Sequence, residues 1–489
     1  MRDVTDARET YKVLDLALRI GEILLSSGAG AADVTATMLG VTTHLGLRNA
    51  DVDVTFTLLR MGYQADPDEM PVLLTRNITQ RDLDYDDLTR TQELVDDVLQ
   101  DRVDVTEARA RVARINSTNH YLPRWATVLG SGVVGGGIAL ILGGGVLVTV
   151  VATVAGCLIT VLMRTLNKQR WPMFYQQIAG GLLATLLALG TASVDQLFDQ
   201  RVDTSLVITA SIVLLLSGIG FMGAIQDALS GFYITAGARI LEALLATAGL
   251  IAGVSAGLAL APTLGVSLMG VRPGGAGLSD PPLVPLVLAG ALVSACAFAF
   301  TCYAPLRALP AIAMSTLLGH LVFLAVQDPQ ASMPWAAACA AVTIGLVSYA
   351  IAGRVGVPPL IVVVPALVPM LPGLLIYRGL SYMSDGDTQG ILLLSAAAAT
   401  TIALAAGVIM GEYIAQPLTG PLTRNARRIE DRLAGPRLVG IMHGTRIRRR
   451  DPAAARAAHD AWTARMYQAA QAERAFSPVG GAGSRRPGG

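Results

Sequence analysis

The chain has 489 residues, 53% of them hydrophobic and 15% charged, with a formal net charge of +1 and a mean hydropathy of +0.53. Soluble globular proteins carry roughly 25% charged residues, so this is a membrane composition. It argues against a soluble enzyme, a disordered tail protein and a disulfide scaffold.

The small net charge hides three segments: an acidic start (residues 1–124, 14 Lys+Arg against 21 Asp+Glu), a nearly neutral middle (125–416, 9 against 10) and a basic end (417–489, 14 against 5). No basic folded face with a recognisable module is present, which argues against nucleic acid as a partner. The basic tail reads as cytoplasmic sequence beside the membrane, partly disordered at its Gly/Arg end.

In the acidic segment, Tyr11, Leu14, Leu18, Gly21 and Leu25 recur at helical spacing, with Lys12, Asp15, Arg19 and Glu22 elsewhere around the turn. This predicts an amphipathic helix ending near Ser26-Ser27-Gly28. A second helical stretch over 33–45 precedes two β-branched runs, Asp51 to Leu59 and Pro71 to Thr79, separated by Gly62 and Asp66-Pro67-Asp68. Residues 84–99 and 106–115 return to helical period, so 1–124 is expected to form a small α+β domain. No apolar run and cleavage site follow the first basic residue, which places this domain in the cytoplasm.

From Trp125 onward, apolar runs of about 20 residues follow one another, each long enough to cross roughly 30 Å of hydrocarbon. The predicted spans are 126–143, 145–163, 173–192, 205–225, 234–260, 284–304, 307–326, 334–353, 359–380 and 390–414. An α-helical polytopic membrane protein of about ten helices results, with halves at 125–260 and 284–416 joined by an extracytoplasmic loop, 261–283. Arg164, Lys168, Arg170, Arg307, Arg354 and the tail then share the cytoplasmic side with both termini, as the positive-inside rule requires. Five spans per half is an odd number, so the halves enter with opposite orientation, as in inverted-repeat transporters. In support, the window Leu214 to Phe221, containing Ser217 and Gly218, holds the same ordinal place in its half as Pro369-Met-Leu-Pro-Gly-Leu-Leu-Ile does in the other.

The ninth span carries Pro365, Pro369, Pro372 and Gly373 inside a stretch that must cross lipid, with Tyr377 and Arg378 following towards its outer mouth. Each interior proline removes a backbone donor and frees a carbonyl. Broken backbone at membrane depth is tolerated only where protein or a water-filled cavity surrounds it, so a discontinuous helix here is the candidate substrate site. The alternative is a kinked structural helix. Between the fourth and fifth spans, Asp227, Thr235, Arg239 and Glu242 bring polar groups into an apolar region; Arg239 and Glu242 are i,i+3 neighbours able to neutralise one another. The plainer reading is that Arg239 marks the cytoplasmic boundary and Asp227 caps the fifth helix.

His320 in the seventh span is either a proton relay or a packed histidine, and Glu412 belongs at the cytoplasmic interface. Cys157, Cys296, Cys302 and Cys339 lie in apolar stretches without paired or metal-ligand spacing and read as small hydrophobes. Gly21-Glu-Ile-Leu-Leu-Ser-Ser-Gly places an acid beside two hydroxyls but supplies no base, and His44 and His120 have no assignable place.

These residues resemble the threonine/serine exporter family. The resemblance rests on Gly21 to Gly28, on Gln226-Asp227 to Gly231 with Thr235-Ala-Gly-Ala-Arg239-Ile-Leu-Glu242, and on Pro358-Pro-Leu-Ile-Val, Pro369-Met-Leu-Pro-Gly and Tyr377-Arg-Gly. It covers about residues 12 to 415, with Gly237 where the family pattern carries a serine. The resemblance implies a cytoplasmic-membrane carrier that exports L-threonine and L-serine on the proton motive force; similar two-subunit relatives imply dicarboxylate export as an alternative. No P-loop or metal cluster is present, and no cofactor is expected.

The working assignment is therefore a proton-coupled secondary exporter of small polar amino acids, in contact with the bilayer and able to form a homo-oligomer. Its translocation residues are Ser217, Gly218, Asp227, Thr235, Arg239, Glu242, Pro365, Pro369, Pro372, Gly373, Tyr377 and Arg378. A membrane-anchored hydrolase using Ser26 or Ser27, and a passive channel, are the competing classes.

Overall fold

The computed structural model describes residues 7–415, apart from 67, 79–80, 118–119, 199–203, 213–214, 216–217, 261–283, 328–332 and 385–386. The expected loop at 261–283, the basic tail and Ser217 lie outside the described residues.

The acidic segment folds as α1 (Ala7–Ser26), α2 (Ala31–His44), β1 (Ala50–Thr55), β2 (Leu58–Tyr63), β3 (Val72–Asn77), α3 (Tyr85–Leu99) and α4 (Val105–Ser117). Helix α1 is central: Leu14, Leu16, Leu18 and Ile20 are all almost fully buried, each burial stabilising by roughly 1.5–3 kcal/mol. It touches α2, α3, α4 and the sheet, so Asp15, expected on the solvent side, is buried as well. The strands form an antiparallel sheet in the order β1-β2-β3. The run from Asp51 to Leu59, expected as one strand, turns at Phe56-Thr57 so that Thr55 pairs with Leu58. Alternating side chains can face the core on both arms of such a hairpin, which periodicity alone does not distinguish from one strand.

Among the described residues, eight further helices are long and apolar enough to cross a membrane, making this a polytopic membrane protein. They are α5 (Arg124–Ile141), α6 (Val146–Lys168), α7 (Met173–Phe198), α10 (Tyr233–Leu258), α11 (Val284–Thr301), α12 (Leu309–Val326), α13 (Met333–Val355) and α16 (Gln389–Ala415). The ninth expected span is divided in two, and of the fourth two helical pieces are described, with residues 213–214 and 216–217 between them outside the described residues. Those of the fourth are α8 (Thr204–Ile212) and α9 (Gly218–Leu229); the ninth comprises α14 (Leu360–Leu367), a 3-10 turn at Val368–Met370, and α15 (Gly373–Ser384). At the break in the ninth span Pro369 and Pro372 have no N–H to continue the ladder, and Leu371 adopts an extended ψ of 133°.

Small residues let the apolar helices approach closely. A Cβ added at Gly407 would lie 2.7 Å from the Ala338 carbonyl oxygen and one at Gly345 2.6 Å from that of Val408, which is how α13 and α16 pack along one another. The N-terminal elements sit on the ends of this bundle. A continuous buried cluster runs from α1 and the sheet to Ala299, Ala308 and Ile361, and the Tyr85 N–H donates to the Cys302 carbonyl at 2.8 Å. Arg307, in the connection between α11 and α12, pairs with Glu93 of α3 at 2.6 Å. All four cysteines are free; Cys302 is buried and the other three half-buried.

Candidate functional site

A cavity of about 1620 Å³ lies between the N-terminal elements and the membrane helices. Its walls come from the α1–α2 turn, the segment before α3, the first turns of α7, helix α9, the start of α10, the approach to α14 and the end of α16. Helix α9, which lines the cavity, meets the broken ninth span. A Cβ at Gly218, the first residue of α9, would lie 3.0 Å from that of Leu371 in the break of the ninth span. Met222, which lines the cavity, shares an apolar cluster with Val363, Leu367 and Met370.

Asp227, near the end of α9, is the buried charge of this cavity at 2% exposure. Its Oδ2 accepts from Arg239 Nη1 at 2.6 Å. Its Oδ1 accepts from the backbone N–H of Ala31, 196 residues away in sequence, at 3.0 Å. Ala31 opens α2, and the preceding Gly30 has no side chain with which to cap it. The carboxylate therefore supplies the cap, and the positive end of the helix dipole favours it there. Both oxygens are satisfied, as a buried carboxylate requires.

This arrangement corrects two expectations. Arg239 pairs with Asp227 across two helices rather than with Glu242 along its own, and Asp227 caps α2 rather than the fifth-span helix α10, whose N-cap, Phe232, makes no side-chain bond. Glu242 lines the cavity beside them. Thr235 is buried elsewhere: its hydroxyl donates to the Val54 carbonyl at 3.4 Å, tying α10 to β1. The ninth span lines the cavity with Pro358, Pro359, Leu360, Val363 and Val364, and Pro365, Pro369 and Pro372 are not among the lining residues; of Gly373 only the backbone of α15 is described. Of Tyr377 only the helical backbone of α15 is described, and Arg378 lies on the same helix away from the cavity lining. His320 is buried on α12 beside Phe323, also off the cavity. Ser26 Oγ donates to the Ile23 carbonyl at 3.0 Å and Ser27 is buried; among the described residues neither hydroxyl meets a base.

Two polar groups of the cavity were missed in the sequence. Arg81, in the connection between β3 and α3, lines it, and among the described residues its buried Nε–H has no acceptor. Burial, reinforced by Arg239, lowers the Arg81 guanidinium to about 10, against the opposing pull of Asp227 and Glu242, so it stays charged at neutral pH. Gln177, one turn into α7, is 6% exposed, and among the described residues its Oε1 has no donor. A glutamine within an apolar run was the available signal for the second; a loop arginine in an acidic segment offered none.

At the joint between the N-terminal elements and α11, His120 Nε2 lies 3.1 Å from Asp84 and its ring stacks on Tyr303 at 4.1 Å. Asp84, Asp87 and His120 bring three donor atoms within 4.8 Å of one another, but Asp84 also caps α3 by accepting from the Asp87 N–H at 3.0 Å. Burial, with Asp84 alongside, pushes the Asp87 carboxyl up to about 6. A raised carboxyl pKa means that ionisation destabilises the fold above that pH and not below the unfolded value near 4. Asp87→Asn is expected to stabilise the protein by roughly 2 kcal/mol at pH 8, with the gain vanishing by about pH 4; thermal unfolding across that range checks it.

A multi-pass helical membrane protein in which an interrupted helix packs beside a charged cavity is the class defined by these features. Family comparison narrows it: a ThrE model, for the threonine/serine exporters, matches residues 15–261, and a second, "Threonine/Serine exporter, ThrE", matches 287–414. The chain belongs to the threonine/serine exporter family. It is 34% identical to a "Probable threonine/serine exporter" of Mycobacterium tuberculosis over 438 residues, 88% of this chain and 81% of that protein. It is 32% identical to a "Threonine/serine exporter" of Corynebacterium glutamicum over 431 residues, 87% of each. No solved structure matches the chain.

Proposed function

We propose that the chain exports L-threonine and L-serine across the cytoplasmic membrane as a secondary carrier driven by the proton motive force. The observation carrying this reading is the buried Asp227–Arg239 pair in a cavity lined by α9, the helix that meets the broken ninth span. A zwitterion needs charged partners inside the bilayer, and discontinuous helices supply such sites without exposing bare backbone to lipid.

On this reading the fourth and ninth spans complete ten crossings in two inverted halves, residues 1–124 form a separate cytoplasmic domain, and both termini are cytoplasmic. The cavity is the cytoplasm-facing site, and the contact of Gly218 and Met222 with Met370 and Leu371 is the barrier on its far side. Opening that barrier while Asp227 releases the α2 N-terminus would give alternating access. Saturable efflux of labelled L-threonine and L-serine from proteoliposomes, faster with an imposed pH gradient, tests the proposal. Movement that follows only the substrate gradient would refute proton coupling, and movement of succinate alone would refute the amino-acid assignment.

Gln177→Leu is expected to separate binding from folding. Removing an orphaned acceptor leaves stability unchanged or raises it by about 1 kcal/mol, while threonine efflux falls several-fold. Melting temperature and efflux measured on one preparation check both halves.

A further inference from the structure

We propose that Arg81 binds the carboxylate of the exported amino acid, so that the N-terminal elements contribute directly to the substrate site. This rests on the amino-acid export reading. Among the described residues, the other arginines of the cavity are already engaged: Arg239 with Asp227 at 2.6 Å, Arg307 with Glu93 at 2.6 Å, and Arg354 with the Ala350 carbonyl of its own helix at 2.7 Å. Arg81 has no carboxylate partner among them. Its Nη2 donates to the Phe56 carbonyl, its guanidinium lies 4.8 Å from the centre of the Phe56 ring, and its Nε–H is buried without an acceptor.

The neighbourhood holds this side chain ready. The segment bearing it is pinned before and after: the Ile78 N–H donates to the Thr57 carbonyl at 2.7 Å, and the Asp82 N–H to the Ser26 carbonyl at 3.0 Å. The β1–β2 turn therefore fixes one side of the guanidinium through Phe56 and leaves the Nε side unsatisfied. A buried charged donor without an acceptor is costly unless a ligand completes it. A planar fork of N–H groups is complementary to a carboxylate, which can take two of them at once.

The other charges suit the rest of a zwitterion. Glu242 and Gln177 both line the cavity, and each carries an oxygen able to accept a hydrogen bond, which suits an α-ammonium and a side-chain hydroxyl. The charges of Asp227, Arg239 and Glu242 all act on Arg81, which places it within their electrostatic reach.

The test uses the full chain in proteoliposomes. Efflux of labelled L-threonine is measured with unlabelled L-threonine or L-threoninamide, which lacks the carboxylate, as competitor. In the parent chain threoninamide is expected to compete at least tenfold more weakly than threonine. Arg81→Gln should raise the KM for threonine at least tenfold and remove that preference, with Arg81→Lys intermediate. Equal competition by the two compounds in the parent chain would overturn the proposal without any variant, as would an Arg81→Gln protein with unchanged KM and preference. If the parent chain moves neither threonine nor serine, the export reading fails first and this inference falls with it.

Discussion

Asp227→Asn is expected to abolish threonine export and lower the stability of the chain. The amide can still accept from the Ala31 N–H, but it no longer neutralises Arg239, whose side chain is 16% exposed. Removing one partner of a buried ion pair costs roughly 3–5 kcal/mol, because the other charge stays buried. Removing both charges relieves that penalty. The double variant Asp227→Asn/Arg239→Gln should therefore recover most of the lost stability while remaining inactive. Thermal unfolding and efflux measured together separate a structural from a transport role; an Asp227→Asn protein that exports at the parent rate would remove Asp227 from the pathway.

The second large effect is expected at Asp15→Asn. Asp15 accepts from Arg19 Nε at 3.0 Å, from Arg76 Nη2 at 3.1 Å and from Arg109 Nη2 at 2.7 Å, joining α1, β3 and α4. Burial alone would raise its carboxyl, but hydrogen bonds from Arg109, Arg19 and Arg76 outweigh this and hold it below the ordinary carboxylate range. A lowered pKa stabilises the fold above pH of about 4, and that contribution is lost as pH falls through the lowered value. The Asp15→Asn substitution should cost about 3 kcal/mol at neutral pH and flatten the acid limb of the stability profile. The same loosening would reach the α1–α2 corner that presents Ala31 to Asp227, so export should fall as well. Unfolding of the purified chain between pH 3 and 7 reads the effect.

The long apolar runs made eight membrane helices legible, and the prolines of the ninth span correctly marked an interruption, because both signals are local. The location of the site was only half legible. Asp227, Arg239 and Glu242 stood out as charges in an apolar region and do line the cavity, whereas Pro365, Pro369 and Pro372, which suggested a site, are not among its lining residues. The pairing failed for a physical reason: an i,i+3 neighbour is within reach of Arg239, but a carboxylate buried to 2% exposure requires a full set of partners and takes the guanidinium. The Ala31 contact had no sequence signal, since every non-proline residue has an N–H and only the fold decides which one meets Asp227. Arg81 was hidden similarly, being placed by a hairpin turn and strand pairing far from the membrane helices in sequence.

The most direct test of the account is whether substrate occupies the cavity beside the contact of α9 with the broken ninth span. Ile219 on α9 lines the cavity one residue from Gly218, so Ile219→Cys in a background without the four native cysteines reports on that space through its rate of thiol labelling. L-Threonine should slow labelling over the same concentration range in which efflux saturates. A labelling rate indifferent to threonine while efflux saturates would contradict the account and move the substrate site elsewhere.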